Sequence, residues 1–229
     1  MVWGIIGAMD SEVELLRSHM QIEKTEQRSG LTFYQGTLQG QQVIVVVCSV
    51  GKVNAALCAQ TLAQVYHVDR LINTGVAGAL DARLDIFDVV VSDTLCYHDA
   101  DLDIFDRYPP YASHYQANPE MVKLAVKACE QVSGREFHCY VRQIVSGDRF
   151  VSDSALKQDI VQRFSPMCVE MEGAAVGQVA LANQIPFVVL RSMSDKADDS
   201  ADVSFDTFAA KAAEHSAGII MKMLELCDR

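Results

Sequence analysis

The sequence predicts an α/β fold of three layers, with a central twisted sheet, mostly parallel or mixed, between helices on both faces. Two observations carry this. Short, β-branched apolar runs recur along the chain, and several end in Gly, Ser, Asn or an acid. Between many of them lie longer segments whose apolar residues recur at helical spacing. Strands that alternate with helices form a largely parallel sheet covered on both sides. No Pro/Gly/Ser linker, low-complexity tract or internal repeat interrupts the pattern, so one domain over residues 1–229 is expected.

In chain order, Val2–Ile6 reads as the first buried strand, followed by the turn Gly7-Ala8-Met9-Asp10 and a helix over Glu12–Met20. The opening turn of that helix is acidic, which suits a helix N-terminus. Val43–Val47 is the next strand; after Cys48-Ser49-Val50-Gly51 comes a helix over Val53–Val65. Arg70–Ile72 runs into Asn73-Thr74-Gly75-Val76-Ala77-Gly78, and Val89–Val91 is a further strand. His98–Asn118 is one long loop that mixes acids with Phe105, Tyr108, Tyr111 and Tyr115, a composition suited to a pocket wall or a subunit contact. Pro119–Gln131 is helical, Val141–Val145 a strand ending at Ser146-Gly147-Asp148, and Ser154–Phe164 helical. Met167–Val169 and Phe187–Leu190 are strands around a helix over Gly173–Asn183, and an amphipathic helix over Phe205–Leu226 closes the chain.

Composition excludes several functions. The formal charge of −11 repels phosphate backbones, and no basic patch offsets it, so nucleic acid is not an expected partner. The same charge weighs, less strongly, against a phosphorylated substrate. No apolar stretch reaches the roughly 20 residues that cross a bilayer, and no basic region precedes the apolar N-terminus, so neither membrane nor secretion is expected. The seven cysteines are scattered without a Cys-x-x-Cys pair, and the six histidines show no ligand spacing. A reducing cytoplasm, no metal and no cofactor are the expectation.

In sheets of this kind ligands bind beyond the carboxyl ends of the strands, and three such ends offer acids: Glu12, the pair Glu170 and Glu172, and Asp195. Each has a plain reading by itself. Glu12 and Asp195 could serve only as helix-terminal or turn acids. Glu170 and Glu172 diverge on a helix but share a face on an extended segment, where one could be a solvated or capping acid. Together, acids at one sheet edge suit metal binding, acid–base chemistry or recognition of sugar hydroxyls. The absence of histidine partners and of an Asp-x-Asp cluster disfavours the metal. The glycine turns lack the spacing of a phosphate loop or dinucleotide fingerprint.

Several motifs, taken in order, resemble those of the bacterial 5′-methylthioadenosine/S-adenosylhomocysteine nucleosidases of the nucleoside phosphorylase superfamily. They are Gly7-Ala8-Met9-x-x-Glu12, Gly51-Lys52-Val53, Asn73-Thr74-Gly75-Val76-Ala77-Gly78, Tyr97-His98-Asp99-Ala100-Asp101, Ser146-Gly147-Asp148, Val169-Glu170-Met171-Glu172 and Ser192-Met193-Ser194-Asp195. The resemblance spans essentially the whole chain. It implies a nucleoside phosphorylase-like fold and hydrolysis of an N-glycosidic bond, releasing adenine and a 5-thio-substituted ribose. It further implies that Asp195 protonates the leaving base towards N7, Glu12 holds and deprotonates the water, and Glu172 accepts hydrogen bonds from the ribose hydroxyls. By the same resemblance Phe150 stacks on adenine and Val151 bonds its edge through the backbone. Met171 lies under the ribose, with Met9, Val50 and Phe205 nearby, and Gly78 passes close to the base or sugar. Ser194 and Arg191 support Asp195 and Glu172, and Leu102 and Phe105 border the 5′ group. Family members pair as homodimers in which a partner loop, here near Tyr108–Tyr111, closes the pocket.

The chain departs from the family pattern at Asp106-Arg107-Tyr108-Pro109-Pro110, and at Val76, where some members have serine. Three other readings compete. A phosphorylase of this superfamily would carry an arginine where this chain has Asn73. A nucleosidase for a larger adenosine derivative, such as an aminodeoxyfutalosine, would keep the acids and change only the 5′ pocket. A non-catalytic nucleoside-binding protein would have no need of Glu12, Glu172 and Asp195 together.

Overall fold

The computed structural model describes residues 1–134 and 136–227. Its strands are β1 Val2–Gly7, β2 Gln21–Arg28, β3 Leu31–Leu38, β4 Gln41–Val47, β5 Arg70–Ala79, β6 Val89–Tyr97, β7 His114–Gln116, β8 Cys139–Ser146, β9 Cys168–Glu170 and β10 Phe187–Asp195. Its helices are α1 Asp10–His19, α2 Lys52–Gln64, α3 Leu102–Arg107, α4 Pro119–Val132, α5 Ser154–Phe164, α6 Gly173–Asn183 and α7 Ala201–Leu226.

The strands form one mixed sheet in the order β10-β6-β8-β9-β5-β1-β4-β3-β2, with β7 added beside β6. Parallel pairing joins β1 to β4 and β5, β10 to β5, and β8 to β6 and β9. The sheet is not fully open. β5 pairs β1 over its first residues and then, from Gly78, takes β9 antiparallel on that side while holding β10 on the other. β5, β10, β6, β8 and β9 thereby close into a ring, and the carboxyl ends of β5, β9 and β10 converge.

Helices cover both faces, giving the three layers that the sequence predicts. Alternation along β1 decides the sides: Ile6 joins a core with Cys58 and Leu62 of α2 and Ala174 and Val176 of α6, while Trp3 and Ile5 join Leu16 of α1, Met121 of α4 and Ile219 of α7. Two differences from the sequence reading have simple causes. The β2–β3 hairpin is absent from that reading, because β2 is Gln-Ile-Glu-Lys-Thr-Glu-Gln-Arg, an almost wholly solvated edge strand with no apolar run. Its charges are the usual protection of an exposed edge. The long loop at 98–118 is partly regular: it holds α3, started by the Asp101 carboxylate accepting from Asp103 N, and β7, whose Tyr115 is buried.

Candidate active site

Glu12 owes its position to a strand that stops where a helix begins. β1 ends at Gly7, and α1 starts at Asp10, so Glu12 falls in the first helical turn. From there its carboxylate reaches back to the chain before the helix: Oε2 accepts from Ala8 N at 2.6 Å and Met9 N at 3.0 Å. Met9 is the N-cap of α1, so its amide is one that a helix start leaves unpaired. Oε1 accepts from Val76 N of β5 at 3.0 Å. The group is buried, and burial raises its proton affinity, opposed by Arg191 and by these three amides.

Glu170 and Glu172 flank the end of β9, and both face Arg191 of β10, which is 1% exposed. Arg191 Nη2 bonds Glu170 Oε2, Glu172 Oε2 at 3.2 Å and Asn73 Oδ1 at 2.7 Å. Its Nη1 donates to Val76 O at 3.3 Å and lies 3.9 Å from Glu12. One guanidinium therefore faces three buried carboxylates. A dry site cannot hold that surplus negative charge without raising proton affinity somewhere. Glu172 carries much of it: burial first, and then Glu170 and Glu12, push it up to about 7 against the pull of Arg191 and the Gly51 amide. Glu170 has a separate role, since its Oε2 also accepts from Glu172 N and Gly173 N while Ser146 bonds its Oε1. Glu170 thus caps α6 from the preceding strand.

Asp195, the last residue of β10, is buried. Its Oδ2 accepts from Ser194 Oγ at 2.8 Å and its Oδ1 from Ala197 N at 2.8 Å. Burial raises its proton affinity, and these two donors oppose the rise. Gly78 is required here by space: a Cβ would stand 2.8 Å from Asp195 Oδ1 and from the Ala197 Cβ.

The three strand ends enclose a cavity of about 290 Å³ whose walls are mostly apolar. It brings together Met9, Glu12, Val50, Val76, Gly78, Phe150, Val151, Met171, Glu172, Arg191, Ser194, Asp195 and Phe205. Phe150 stands edge-on to Phe205 with ring centroids 5.6 Å apart. Val50 and Phe150 are 45% and 41% exposed and so lie where the cavity meets solvent. Val76 serves the site through its backbone as well, giving its amide to Glu12 and its carbonyl to Arg191.

Two expected wall residues are not in this cavity. α3 turns Phe105 against the Tyr97 ring, 5.4 Å between centroids, and into a separate groove with Lys52 and Val53; Leu102 packs on the core clusters. Within one chain, therefore, neither borders the cavity. Conversely, Ala8, Ala77, Arg149, Val169 and Glu170 line it without being among the expected wall residues. Glu170 had a usable signal, because two acids at i and i+2 on an extended segment share a face. Arg149 had only its position before Phe150.

The chain is similar to known proteins along almost its whole length. Residues 3–225 match the model of the phosphorylase superfamily. A 5′-methylthioadenosine/S-adenosylhomocysteine nucleosidase of Halalkalibacterium halodurans is 36% identical over 226 residues, 96% of each chain. The crystal structure of a nucleosidase of the same description from Colwellia psychrerythraea, in complex with adenine, superposes with a TM-score of 0.93 at 36% identity, covering 98% of this chain and 94% of that one. Futalosine hydrolase of Helicobacter pylori has a TM-score of 0.91 at 31% identity, covering 99% of this chain and 98% of its own. With its family model, its fold and its full-length relatives all in accord, the chain belongs to the phosphorylase superfamily, among the 5′-methylthioadenosine/S-adenosylhomocysteine nucleosidases.

Proposed function

We infer that this protein hydrolyses the N-glycosidic bond of 5′-methylthioadenosine and S-adenosylhomocysteine, and of 5′-deoxyadenosine as a smaller substrate of the same kind. The products are adenine and the corresponding 5-substituted ribose. The observation that carries this reading is the placing of three buried acids, Glu12, Glu172 and Asp195, in one apolar cavity with a different set of partners for each.

Departure of adenine leaves a sugar with oxocarbenium character, so the base must gain a proton and a water must lose one. Asp195 suits protonation of the base, because burial favours its own protonated form, and Ser194 and Ala197 hold the carboxyl in place. Proton transfer from Asp195 towards N7 lets adenine leave as a neutral base. Glu12 suits activation of the water, as a carboxylate fixed by three amides that accepts the proton of the attacking molecule. Glu172 accepts hydrogen bonds from the ribose hydroxyls, an interaction that strengthens as positive charge grows on the sugar. Phe150 covers one face of adenine, the Val151 backbone meets its edge, and Met171 lies against the ribose, with Met9, Val50 and Phe205 around it. Phosphate is not needed as the nucleophile. The site's buried arginine is committed to carboxylates, and Asn73 donates to Ile6 O instead of offering a cation.

Residues 1–229 act in this scheme as one catalytic domain that pairs with a second copy. Val53, Leu57, Ile104, Tyr108 and Tyr111 are large apolar groups left exposed, and Val53 shares its groove with Phe105. On pairing, Leu102, Phe105 and the segment Tyr108–Tyr111 would border the 5′ group in the partner's cavity. A reducing cytoplasm suits the seven cysteines, all of which are free thiols. The test follows adenine release from methylthioadenosine with and without phosphate. We expect the same rate in both; dependence on phosphate would replace hydrolysis by phosphorolysis. Parallel rates on S-adenosylhomocysteine and an aminodeoxyfutalosine assign the 5′ preference.

A further inference from the structure

Three motifs enter the site described so far only through the Gly51 amide and the Ser146 hydroxyl: Gly51-Lys52-Val53, Tyr97-His98-Asp99 and Ser146-Gly147-Asp148. In the fold they meet. Lys52 Nζ donates to both oxygens of Asp99, at 2.7 and 2.8 Å, and lies 3.6 Å from Asp148 Oδ2. Lys52 N donates to Asp148 Oδ1 at 2.8 Å, and Asp148 N donates to Asp99 Oδ2 at 2.9 Å. The loops are also keyed together by shape, because the His98 ring occupies the space that a Cβ on Gly147 would need. This is a closed network of two acids, one cation and two backbone amides, unlike an isolated surface ion pair, which contributes little.

Its output is one hydrogen bond. Gly51, immediately before Lys52, has φ +102° and is the start of α2; its amide donates to Glu172 Oε1 at 2.8 Å. The other Glu172 oxygen is held by Arg191 at 3.2 Å. Glu172 therefore has one fixed donor on each oxygen, and the donor on Oε1 belongs to a glycine, the residue least able to hold its own conformation.

We propose that Lys52, Asp99 and Asp148 are positioning residues that clamp the Gly51 amide onto Glu172 and so present its carboxylate to the ribose in one orientation. The proposal rests on the reading of Glu172 as the acceptor for the ribose hydroxyls. A donor to a carboxylate favours its charged form, so release of the Gly51 amide makes Glu172 easier to protonate. The other groups facing Glu172 are Arg191, Glu170, Glu12 and Cys48. None of them is altered when the clamp is cut.

The experiment measures kcat/KM for methylthioadenosine against pH, with thermal stability, for the unaltered chain, K52M, K52R and D99N. K52M and D99N are expected to lower kcat/KM at neutral pH by about tenfold, the order of one hydrogen bond to a charged group. They should also move the acid limb of the profile to higher pH, since activity needs Glu172 ionised. K52R, which keeps the cation, should restore most of both. Variants with a lower melting temperature but an unmoved acid limb would reduce the network to a structural brace and overturn the proposal. Should K52M fail to fold, D99N, which keeps the side-chain shape while removing the charge and one of the two acceptor oxygens, decides the question alone. If the unaltered chain releases no adenine, the assignment of Glu172 falls, and the clamp's role with it; adenine release together with an unmoved limb removes the clamp alone.

Discussion

Arg191→Met tests the electrostatic account of the site most severely. The substitution keeps much of the side-chain volume and removes the cation that, among the described residues, faces Glu12, Glu170 and Glu172. At the 3.2 Å separation from Glu172 and an effective dielectric constant of about 20, the gross attraction is ~5 kcal/mol. The net loss is smaller because the guanidinium's own desolvation disappears with it. Truncating one member of a buried charge cluster leaves its partners uncompensated, at a cost of roughly 3–5 kcal/mol.

The sign of the pH dependence follows from linkage. Glu172, raised to about 7 by burial, already favours the folded state below its unfolded value of 4.5, and that advantage is lost as pH rises through 7. Arg191 lowers the proton affinity of both Glu12 and Glu172. Without it the folded protein holds additional protons near neutrality, and stability falls more steeply with pH, by about 1.4 kcal/mol per pH unit for each extra proton. Urea unfolding at pH 7.5 and pH 5.5 reads this directly. R191M should be less stable by roughly 3–5 kcal/mol at the higher pH, and the deficit should shrink at the lower pH, by at most about 2.7 kcal/mol for each proton bound additionally over the whole interval. A deficit below about 1 kcal/mol, or one that is the same at both pH values, would refute the view that Arg191 neutralises the carboxylates.

Two further substitutions separate chemistry from packing. D195N should lower adenine release by about 100-fold or more, in line with loss of a general acid, without lowering the melting temperature at neutral pH, because a buried carboxyl is replaced by a neutral amide; near-normal turnover would remove Asp195 from the acid's role. G75A should disturb Glu12 and Arg191 together, since the new Cβ would overlap Glu12 Oε1 and Arg191 Nη1. Overpacking of this kind costs roughly 1–3 kcal/mol, and both thermal unfolding and adenine release should register it; unchanged values for both would show that the site has slack there.

Much of the sheet was legible because buried strands need apolar side chains on both faces. Val43–Val47 and Phe187–Leu190 announce themselves in this way, and the continuation of the second into Arg191–Asp195 locates an active edge. The same logic fails for β2, whose residues are solvated and whose strand state comes only from pairing with β3. It also shortens β5: Asn73–Gly78 reads as a turn, but in the fold it is extended between β10 on one side and β1, then β9, on the other. The start of α7 at Ala201 in place of Phe205 is a smaller case, a polar first turn that apolar spacing does not reveal.

The sequence by itself determined the layered α/β plan and the strand ends that carry acids, because periodicity and residue type are local properties that survive any tertiary arrangement. It also supplied the family motifs from which the roles proposed for Glu12, Glu172 and Asp195 are drawn. Only the tertiary structure decided how the acids differ. Arg191 is 21 residues from Glu170 and 179 from Glu12, yet it serves both, along with Glu172, because β10 and β9 flank the same strand, β5, while Glu12 bonds that strand's Val76 amide. Through that convergence Glu170 became a helix cap, Leu102 and Phe105 turned away from their own chain's cavity, and Lys52 came to brace Glu172 from the start of α2. Proton affinity and orientation depend on burial and on partners within a few ångströms, and those are set by how the chain closes on itself.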